Sequence, residues 1–285
     1  MSLGFGRSSI VKNSRLLLDF RNPEVRKYLD SVVERLVKEY GVGYIKMDYN
    51  TDTLEGTGQN ADSVGQGLLE HNRAVLRWLD GLLERYPELV IENCGSGGGR
   101  MDYAMLSHTQ LQSCTYQEEY VHMPAIATGA SAGVVPSQIA LWSYPRQRAD
   151  ADEANFNMVT AMLLRIHQSG QLAALSAAAA SQVKQGIPIY KQTIRENLPE
   201  AVPFYPLGMP DVTDSLRPIA LGMRSQKRSF LAVWRIDGDA EVPIRKIASH
   251  AELLYPTDLD IKINQAGENW VVTFPRHRMG CILSL

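Results

Sequence analysis

This chain of 285 residues has few cysteines, a small net charge and no long hydrophobic run. Its three cysteines, Cys94, Cys114 and Cys281, are few, and an odd number cannot all pair in disulfides. This argues against a disulfide framework and indicates a reducing, cytoplasmic environment. A formal net charge of −2 gives no reason to expect a nucleic-acid partner. Because no apolar run is long enough to cross a bilayer, we expect no membrane partner either.

Metal-ligand patterns are missing as well. The six histidines have no metal-ligand spacing, and no two cysteines lie close enough in sequence for a zinc site. We therefore expect neither a metal nor another cofactor. Hydrophobic residues, in contrast, make up 45% of the chain, which is enough for a sizeable core or for more than one domain.

Strand-like and helix-like segments alternate over the first two thirds of the chain. Residues 16–20 form a short apolar run, and Asn22 and Pro23 are residue types typical of a helix start. Residues 44–48 and 89–94 are predicted as buried strands, with an amphipathic helix between them. This alternation predicts a parallel sheet with right-handed crossovers.

The later segments are less regular. The sequence predicts a strand at residues 111–114, a helix over residues 152–167 and a second helix that starts near Ser176. After residue 202, short strands separated by Gly, Asn and Pro turns predict a small antiparallel β domain; they lie at residues 229–235, 251–255 and 270–274.

A row of polar residues ends the strand predicted at residues 44–48. Alternation along a strand places Lys46, Asp48 and Asn50 on one face. Polar groups gathered at the carboxyl end of a strand are the layout of a (β/α) barrel active site. A lysine two residues away keeps an aspartate ionised, as a nucleophile requires. The alternative is that Asp48 merely caps the following turn.

A glycine-rich turn follows the strand at residues 89–94. Residues 95–100 read Gly-Ser-Gly-Gly-Gly-Arg, so the backbone can approach another group closely and expose N–H groups to it. The turn lacks the Gly-Lys-Ser/Thr of a phosphate loop, and its glycine spacing does not fit a dinucleotide-binding motif. Directly after a strand that carries a carboxylate, it indicates a ligand pocket.

Together these motifs resemble glycoside hydrolase family 36, the bacterial α-galactosidase group. Residues 46–50 resemble the nucleophile strand of the family, and residues 92–102 resemble its glycine-rich substrate loop. The similarity covers nearly the whole chain and continues through residues 18–26, 142–145, 164–170 and 204–208.

The resemblance implies a fold and a site. The fold is a (β/α)8 TIM barrel over residues 1–202, followed by an antiparallel β-sandwich domain over residues 203–285.

Asp48 is implied as the nucleophile of a retaining mechanism on terminal α-galactosides. Lys46 and Asn50 are implied to hold sugar hydroxyls and to keep Asp48 charged. The residues implied to line the galactose pocket or to brace its loop are Cys94, Gly97, Gly98 and Arg100.

One position departs from the family. The acid/base aspartate of the family aligns with Tyr116, whereas a retaining glycosidase needs a second carboxyl group roughly 5–5.5 Å from the nucleophile. A phenol with a pKa of about 10 can donate a proton but is a poor base near neutral pH. Glu118 or Glu119 could replace the aspartate through a shift of the loop, or both could be solvated surface charges. Trp142 could shape the sugar site or belong to the core.

The length also departs from the family, since relatives carry a β domain and the opening barrel strands before the segment at residues 16–20. We therefore expect a barrel that lacks its first strands, either in a fragment or in a homo-oligomer or complex whose partner completes it.

Four functions remain open at this point. The leading hypothesis is an α-galactosidase-like retaining hydrolase with an atypical acid/base position. The others are a non-catalytic sugar-binding relative in which Tyr116 offers a stacking face, a transglycosylase, and a truncated inactive fragment. The sequence does not distinguish galactose from N-acetylgalactosamine.

Overall fold

The structure is a computed structural model, which describes residues 17–50, 56–214 and 216–285. Its contacts form two compact units, one that ends at Gln112 and one that runs from Ser113 to Leu285. The domain boundary expected between residues 202 and 203 stays a prediction.

The first unit alternates helices with parallel strands, as the sequence predicts. Its elements are α1 (Pro23–Lys38), β1 (Tyr44–Asp48), α2 (Val64–Arg85), β2 (Val90–Cys94), the short α3 (Tyr103–Leu106) and β3 (Leu111–Ser113). β1 pairs in parallel with β2, and β2 pairs in parallel with β3. Of the strand predicted at residues 16–20, Leu16 lies outside the described residues, and only Leu18 forms a β-bridge among the rest.

Each of the two long helices of this unit has an N-cap residue whose side chain accepts a hydrogen bond from a backbone N–H of the first turn. The Asn22 side chain accepts from the backbone N–H of Glu24, and Pro23 follows as the first helical residue, which confirms the predicted start of α1. The Ser63 hydroxyl does the same for the backbone N–H of Gln66 in α2.

The two helices pack on one face of β1 and β2. Their buried apolar cluster consists of Val33, Trp78, Leu79, Leu82, Leu89 and Ile91. Ile45 and Met47 of β1 pack against this cluster, so the side chains of Lys46 and Asp48, which alternate with them, leave the strand on the other side. An open, mostly apolar pocket of about 440 Å³ lies on the helix-covered side, and Asp48 at the end of β1 is also among its lining residues.

The second unit combines helices, parallel strands and antiparallel sheets. Its first elements are α4 (Met123–Ser131), β4 (Ile139–Ser143), α5 (Ala151–Met162), β5 (Arg165–Gln168) and α6 (Ala177–Ile189). β4 and β5 pair in parallel. Ser176 caps α6 by accepting from the backbone N–H of Ala179, as its predicted start requires.

The helix predicted over residues 152–167 is wrong in its last third. α5 ends at Met162, and residues 165–168 form β5 instead. Ile166, which continues the helical period, lies instead in the strand, where it pairs with Leu141 of β4. A single apolar residue in phase with a helix does not show that the helix continues, because pairing with a neighbouring strand can use the same residue.

The remaining strands of the second unit are antiparallel, as predicted. They are β6 (Val202–Phe204), β7 (Ile219–Arg224), β8 (Ser229–Arg235), β9 (Glu241–Arg245), β10 (Glu252–Tyr255), β11 (Lys262–Ala266), β12 (Asn269–Thr273) and β13 (Met279–Ser284). One sheet has the strand order β10-β13-β8-β7-β6 and the other β11-β12-β9. Both sheets contribute to one buried apolar cluster, which includes Val233 of β8 and Val272 of β12.

None of the helices in the described ranges is both long and apolar enough to cross a membrane.

Close packing at Gly280 gives a test of the second unit. A Cβ atom at this position would lie 2.8 Å from Cδ1 of Trp234 and 3.1 Å from Cγ1 of Val159, both of which are fully buried. We expect Gly280→Ala to lower the free energy of unfolding by about 1–3 kcal/mol, measured by urea denaturation.

The matched control is Gly129→Ala in α4, where an added Cβ meets no atom within 4 Å. We expect it to be neutral or to stabilise by about 0.5–1 kcal/mol. Equal effects of the two substitutions would contradict this description of the core.

Candidate active site

The predicted site residues of the first unit gather at the carboxyl ends of β1 and β2. The parallel register places Asp48 opposite Cys94 and Lys46 opposite Glu92. Asp48 is exposed, whereas Cys94 is buried. An exposed carboxylate at this end of a parallel strand is in the position where ligands bind such sheets.

Lys46 forms an ion pair with Glu92, a residue that the sequence analysis did not single out. The Lys46 Nζ lies 3.2 Å from Glu92 Oε1, and the Tyr44 hydroxyl donates to Glu92 Oε2. The Glu92 side chain is only 1% exposed, so its carboxylate depends on these partners rather than on water. The sequence does contain a signal for this pair. Glu92 lies within the strand segment Ile91-Glu92-Asn93, and a charge inside a buried strand requires a counter-charge.

The glycine-rich loop is tied to the end of β1 through Asn50. The Asn50 Oδ1 accepts from the Ser96 backbone N–H at 2.6 Å and from the Ser96 hydroxyl at 3.2 Å. Gly97 has φ +81°, a conformation that favours glycine. Gly98 accepts the backbone N–H of Met101 at 3.0 Å, which closes the turn. Asn50 therefore fixes the loop that contains Gly97 and Gly98.

Arg100 braces the same loop from its far end. Its Nε donates to the Tyr49 carbonyl at 3.2 Å, and its guanidinium lies 3.5 Å from the centroid of the Tyr49 ring. The Asn93 side chain donates to the Arg100 carbonyl at 2.8 Å. These contacts connect the loop to both strands, which limits its freedom to move away from Asp48.

A buried histidine supports Tyr49 from the helix side. Nδ1 of His71 accepts the backbone N–H of Phe20 at 3.3 Å, so in the neutral ring Nε2 carries the proton and faces the Tyr49 hydroxyl at 3.2 Å. Burial lowers the pKa of His71, and the attraction of Asp19 3.9 Å away only partly opposes it. Burial also raises the pKa of Tyr49.

In the second unit, Tyr116 belongs to a stack of three aromatic rings. Its ring centroid lies 5.0 Å from that of Trp142 with an interplanar angle of 12°. Trp142 in turn lies 5.5 Å from Tyr144 at 26°. The side chains of Glu118 and Glu119 are both more than half exposed and both pair with Arg146, at 3.2 and 3.1 Å. Their contacts favour the solvated-surface alternative over a replacement for the acid/base residue.

No group of three or more His, Cys, Asp or Glu side chains that could hold a metal ion occurs in the described part of the chain.

Comparison with known proteins gives the family. The Melibiase family profile matches residues 5–198, which is more than half of the chain. The chain belongs to the melibiase family. This agrees with the resemblance to glycoside hydrolase family 36 that the motifs indicate.

Curated relatives of this melibiase-family chain are much longer. The bifunctional alpha-galactosidase/sucrose kinase AgaSK of Mediterraneibacter gnavus is 24% identical over 246 residues, which is 82% of this chain and 24% of that protein. Alpha-galactosidase 2 of Pediococcus pentosaceus is 32% identical over 105 residues, covering 36% of this chain and 15% of that protein. The chain thus spans at most about a quarter of either relative.

Solved structures share the fold. The galactosidase domain of AgaSK superimposes with a TM-score of 0.73 at 20% identity, over 94% of this chain and 38% of that one. The family 36 enzyme AgaA A355E D548N of Geobacillus stearothermophilus in complex with raffinose has a TM-score of 0.73 at 18% identity, over 94% and 39%.

The Lys46–Glu92 pair predicts that replacing Lys46 lowers the free energy of unfolding more than replacing Glu92 does. Removing one partner of a buried pair costs about 3–5 kcal/mol, and we expect Lys46→Met to approach this range because Glu92 cannot reach water. Glu92→Gln should cost less, since the Lys46 side chain is 29% exposed and its ammonium can be hydrated. Urea denaturation of both variants measures the difference.

The double variant Lys46→Met/Glu92→Gln should regain part of the loss, because it leaves no uncompensated charge. Glu88→Gln, which changes an exposed glutamate before β2, is the control. A larger loss in Glu92→Gln than in Lys46→Met would contradict the proposed pairing.

His71 predicts a pH dependence of stability. Its lowered pKa means that the unfolded chain, with a histidine value near 6.5, binds more protons than the folded one just below that pH. The free energy of unfolding should therefore fall as the pH decreases from about 6.5 toward the folded pKa. We expect His71→Gln, which does not titrate, to reduce this fall.

Denaturation curves at several pH values measure the effect. His250→Gln, which removes an exposed histidine, is the control. An unchanged pH dependence in His71→Gln would show that this histidine is not linked to folding.

Proposed function

We propose that the chain is the catalytic part of an α-galactosidase-type retaining glycoside hydrolase, with Asp48 as its nucleophile. The observation that carries the proposal is the exposed Asp48 carboxylate at the carboxyl end of β1, within the segment that matches the melibiase family. Relatives named alpha-galactosidase support the substrate class, which is a terminal α-galactoside.

In this mechanism the Asp48 carboxylate attacks the anomeric carbon while the leaving group departs. The resulting galactosyl ester is later hydrolysed by water, which restores the carboxylate. We assign to Lys46 and Asn50 the role of binding the sugar hydroxyls. Because Glu92 balances the charge of Lys46, and Ser96 occupies Asn50 Oδ1, both side chains have fixed positions beside Asp48.

The glycine-rich loop supplies the rest of the proposed pocket. Cys94 lies opposite Asp48 on the neighbouring strand, and its burial suits a wall rather than a reactive thiol. Gly97 and Gly98 let the backbone approach the sugar, and Arg100 holds the loop against Tyr49.

The residue at the acid/base position has a different role in each chemical step: it donates a proton to the leaving group when the ester forms, and it accepts a proton from water when the ester is hydrolysed. Tyr116, which aligns with that position, can donate a proton but cannot activate water efficiently near neutral pH. A missing acid/base group costs about 10²–10⁴ in rate. We therefore propose that the galactosyl ester forms readily from an activated substrate and hydrolyses slowly. Transfer to another sugar is then a competing outcome.

The second candidate is a non-catalytic sugar-binding relative. It is supported by the stacking of Tyr116 on Trp142, which provides a ring face where the family has a carboxyl group. In this case galactosides bind but no covalent ester forms.

Two assembly properties also remain proposals. The three cysteines are buried thiols, which supports a cytoplasmic location. Among the strands of the described residues, β1 is first in the order β1-β2-β3, and an edge position supports an oligomer or a partner subunit that completes the barrel.

The decisive experiment is a burst assay with an activated aryl α-galactoside, whose leaving group needs no proton, followed by mass spectrometry of the protein. We expect a burst of one equivalent, a galactosyl adduct on Asp48 and slow turnover. Asp48→Asn should abolish the adduct, whereas Asp62→Asn, at an exposed position, should leave it unchanged. Tyr116→Asp should accelerate the slow phase.

A folded protein without burst or adduct would overturn the hydrolase proposal. Galactoside binding under the same conditions would then support the sugar-binding relative.

A further inference from the structure

An open groove lies between α1 and α2 of the first unit. Its volume is about 490 Å³, within the range of small-molecule sites, which is about 300–1,000 Å³. Ala74, Trp78 and Gly81 form part of its α2 side, and a Cβ atom added to Gly81 would have Arg85 Nη1, at 3.8 Å, as its nearest contact. The groove shares no lining residue with the glycine-rich loop or with the end of β1. The proposed hydrolase therefore does not account for it.

Positive charge dominates this groove. Four guanidinium groups and two carboxylates line it, so its lining carries a net charge of +2 although the whole chain carries −2. The charged side chains of the lining are Arg21, Arg26, Arg77, Arg85, Asp30 and Glu70. An excess of positive charge in a concave site attracts anions, because its walls exclude part of the solvent that would screen the charge.

The two carboxylates do not remove this excess. Asp30 Oδ1 accepts from Trp78 Nε1 at 2.8 Å and from Arg85 Nη2 at 2.5 Å, so its charge is paired with that of Arg85. Glu70 pairs at 2.8 Å with Arg73, which does not line the groove. Each carboxylate thus already has an arginine partner.

Two arginines of the groove are left without an opposite charge. Arg21 is neutralised by Asp19, whose Oδ2 lies 2.7 Å from Arg21 Nη2. In the described part of the chain, neither Arg26 nor Arg77 forms an ion pair with a carboxylate, and Arg26 donates instead to a neutral group, the carbonyl of Phe20. Two uncompensated cations that line one groove repel each other, and a ligand with two negative charges would remove that repulsion.

The arginines also retain hydrogen-bond donors for a ligand. A guanidinium group has five N–H donors, of which Arg26 uses Nη1 for the Phe20 carbonyl and Arg85 uses Nη2 for Asp30. Because the ion pair with Asp30 already holds Arg85, a ligand that binds there orders one long side chain fewer.

We propose that the groove binds the phosphate group of a small phosphorylated molecule through Arg26, Arg77 and Arg85. A phosphate monoester carries about two negative charges near neutral pH, which matches the two uncompensated arginines. Its oxygens have the spacing that a guanidinium group binds in a bidentate manner. The volume of the groove leaves room for the group that is esterified to the phosphate. The inference goes beyond the proposed function and does not depend on it.

The test is calorimetric titration of the full chain with sn-glycerol 3-phosphate at constant ionic strength, which is set with chloride. This ester contains no sugar, so it does not probe the site around Asp48. We expect saturable binding to one site. Arg77→Gln, which removes an exposed charge, should weaken binding roughly 5- to 20-fold, because hydrogen bonds from a charged group are strong but partly screened at the surface. Arg77→Lys keeps the charge without the planar fork and should give an intermediate affinity.

The matched control is Arg35→Gln, which removes an exposed arginine of α1 that does not line the groove. We expect its affinity to stay within about 2-fold of that of the unmodified chain, because a distant exposed charge is screened. The absence of saturable binding would overturn the site, as would equal losses in Arg77→Gln and Arg35→Gln.

A titration with inorganic phosphate under the same conditions identifies the source of the phosphate group. Weaker binding of inorganic phosphate than of the ester supports a phosphorylated molecule as the ligand. Inorganic phosphate that binds at least as tightly as the ester would overturn that assignment in favour of the free ion.

Discussion

A carboxylate that is almost completely buried has to be neutralised in place, and Glu92 is such a group. Its position opposite Lys46 is set by the parallel register of β1 and β2, which also sets Asp48 opposite Cys94. A shift of one residue would move Lys46 to the helix-covered face and leave Glu92 without its counter-charge. The ion pair therefore specifies the register on which the placement of Asp48 depends.

The same end of the sheet is reinforced by a chain of polar contacts. His71 contacts the Tyr49 hydroxyl, Arg100 covers the Tyr49 ring and binds its carbonyl, and Asn50 binds Ser96. Tyr49 thus connects the helix layer behind β1 to the glycine-rich loop beyond it. A loop held at both ends is ordered in advance, so a ligand that bound there would not lose binding free energy to ordering the loop.

Local features of this structure could be predicted from sequence, and long-range ones could not. The caps at Asn22 and Ser176 follow from adjacent residues, and the alternation of β1 is a property of any strand. The Lys46–Glu92 pair depends on which strands become neighbours, and β5 depends on pairing with β4 that overrides a helical period. The stacking of Tyr116 on Trp142 likewise joins segments that no local pattern connects.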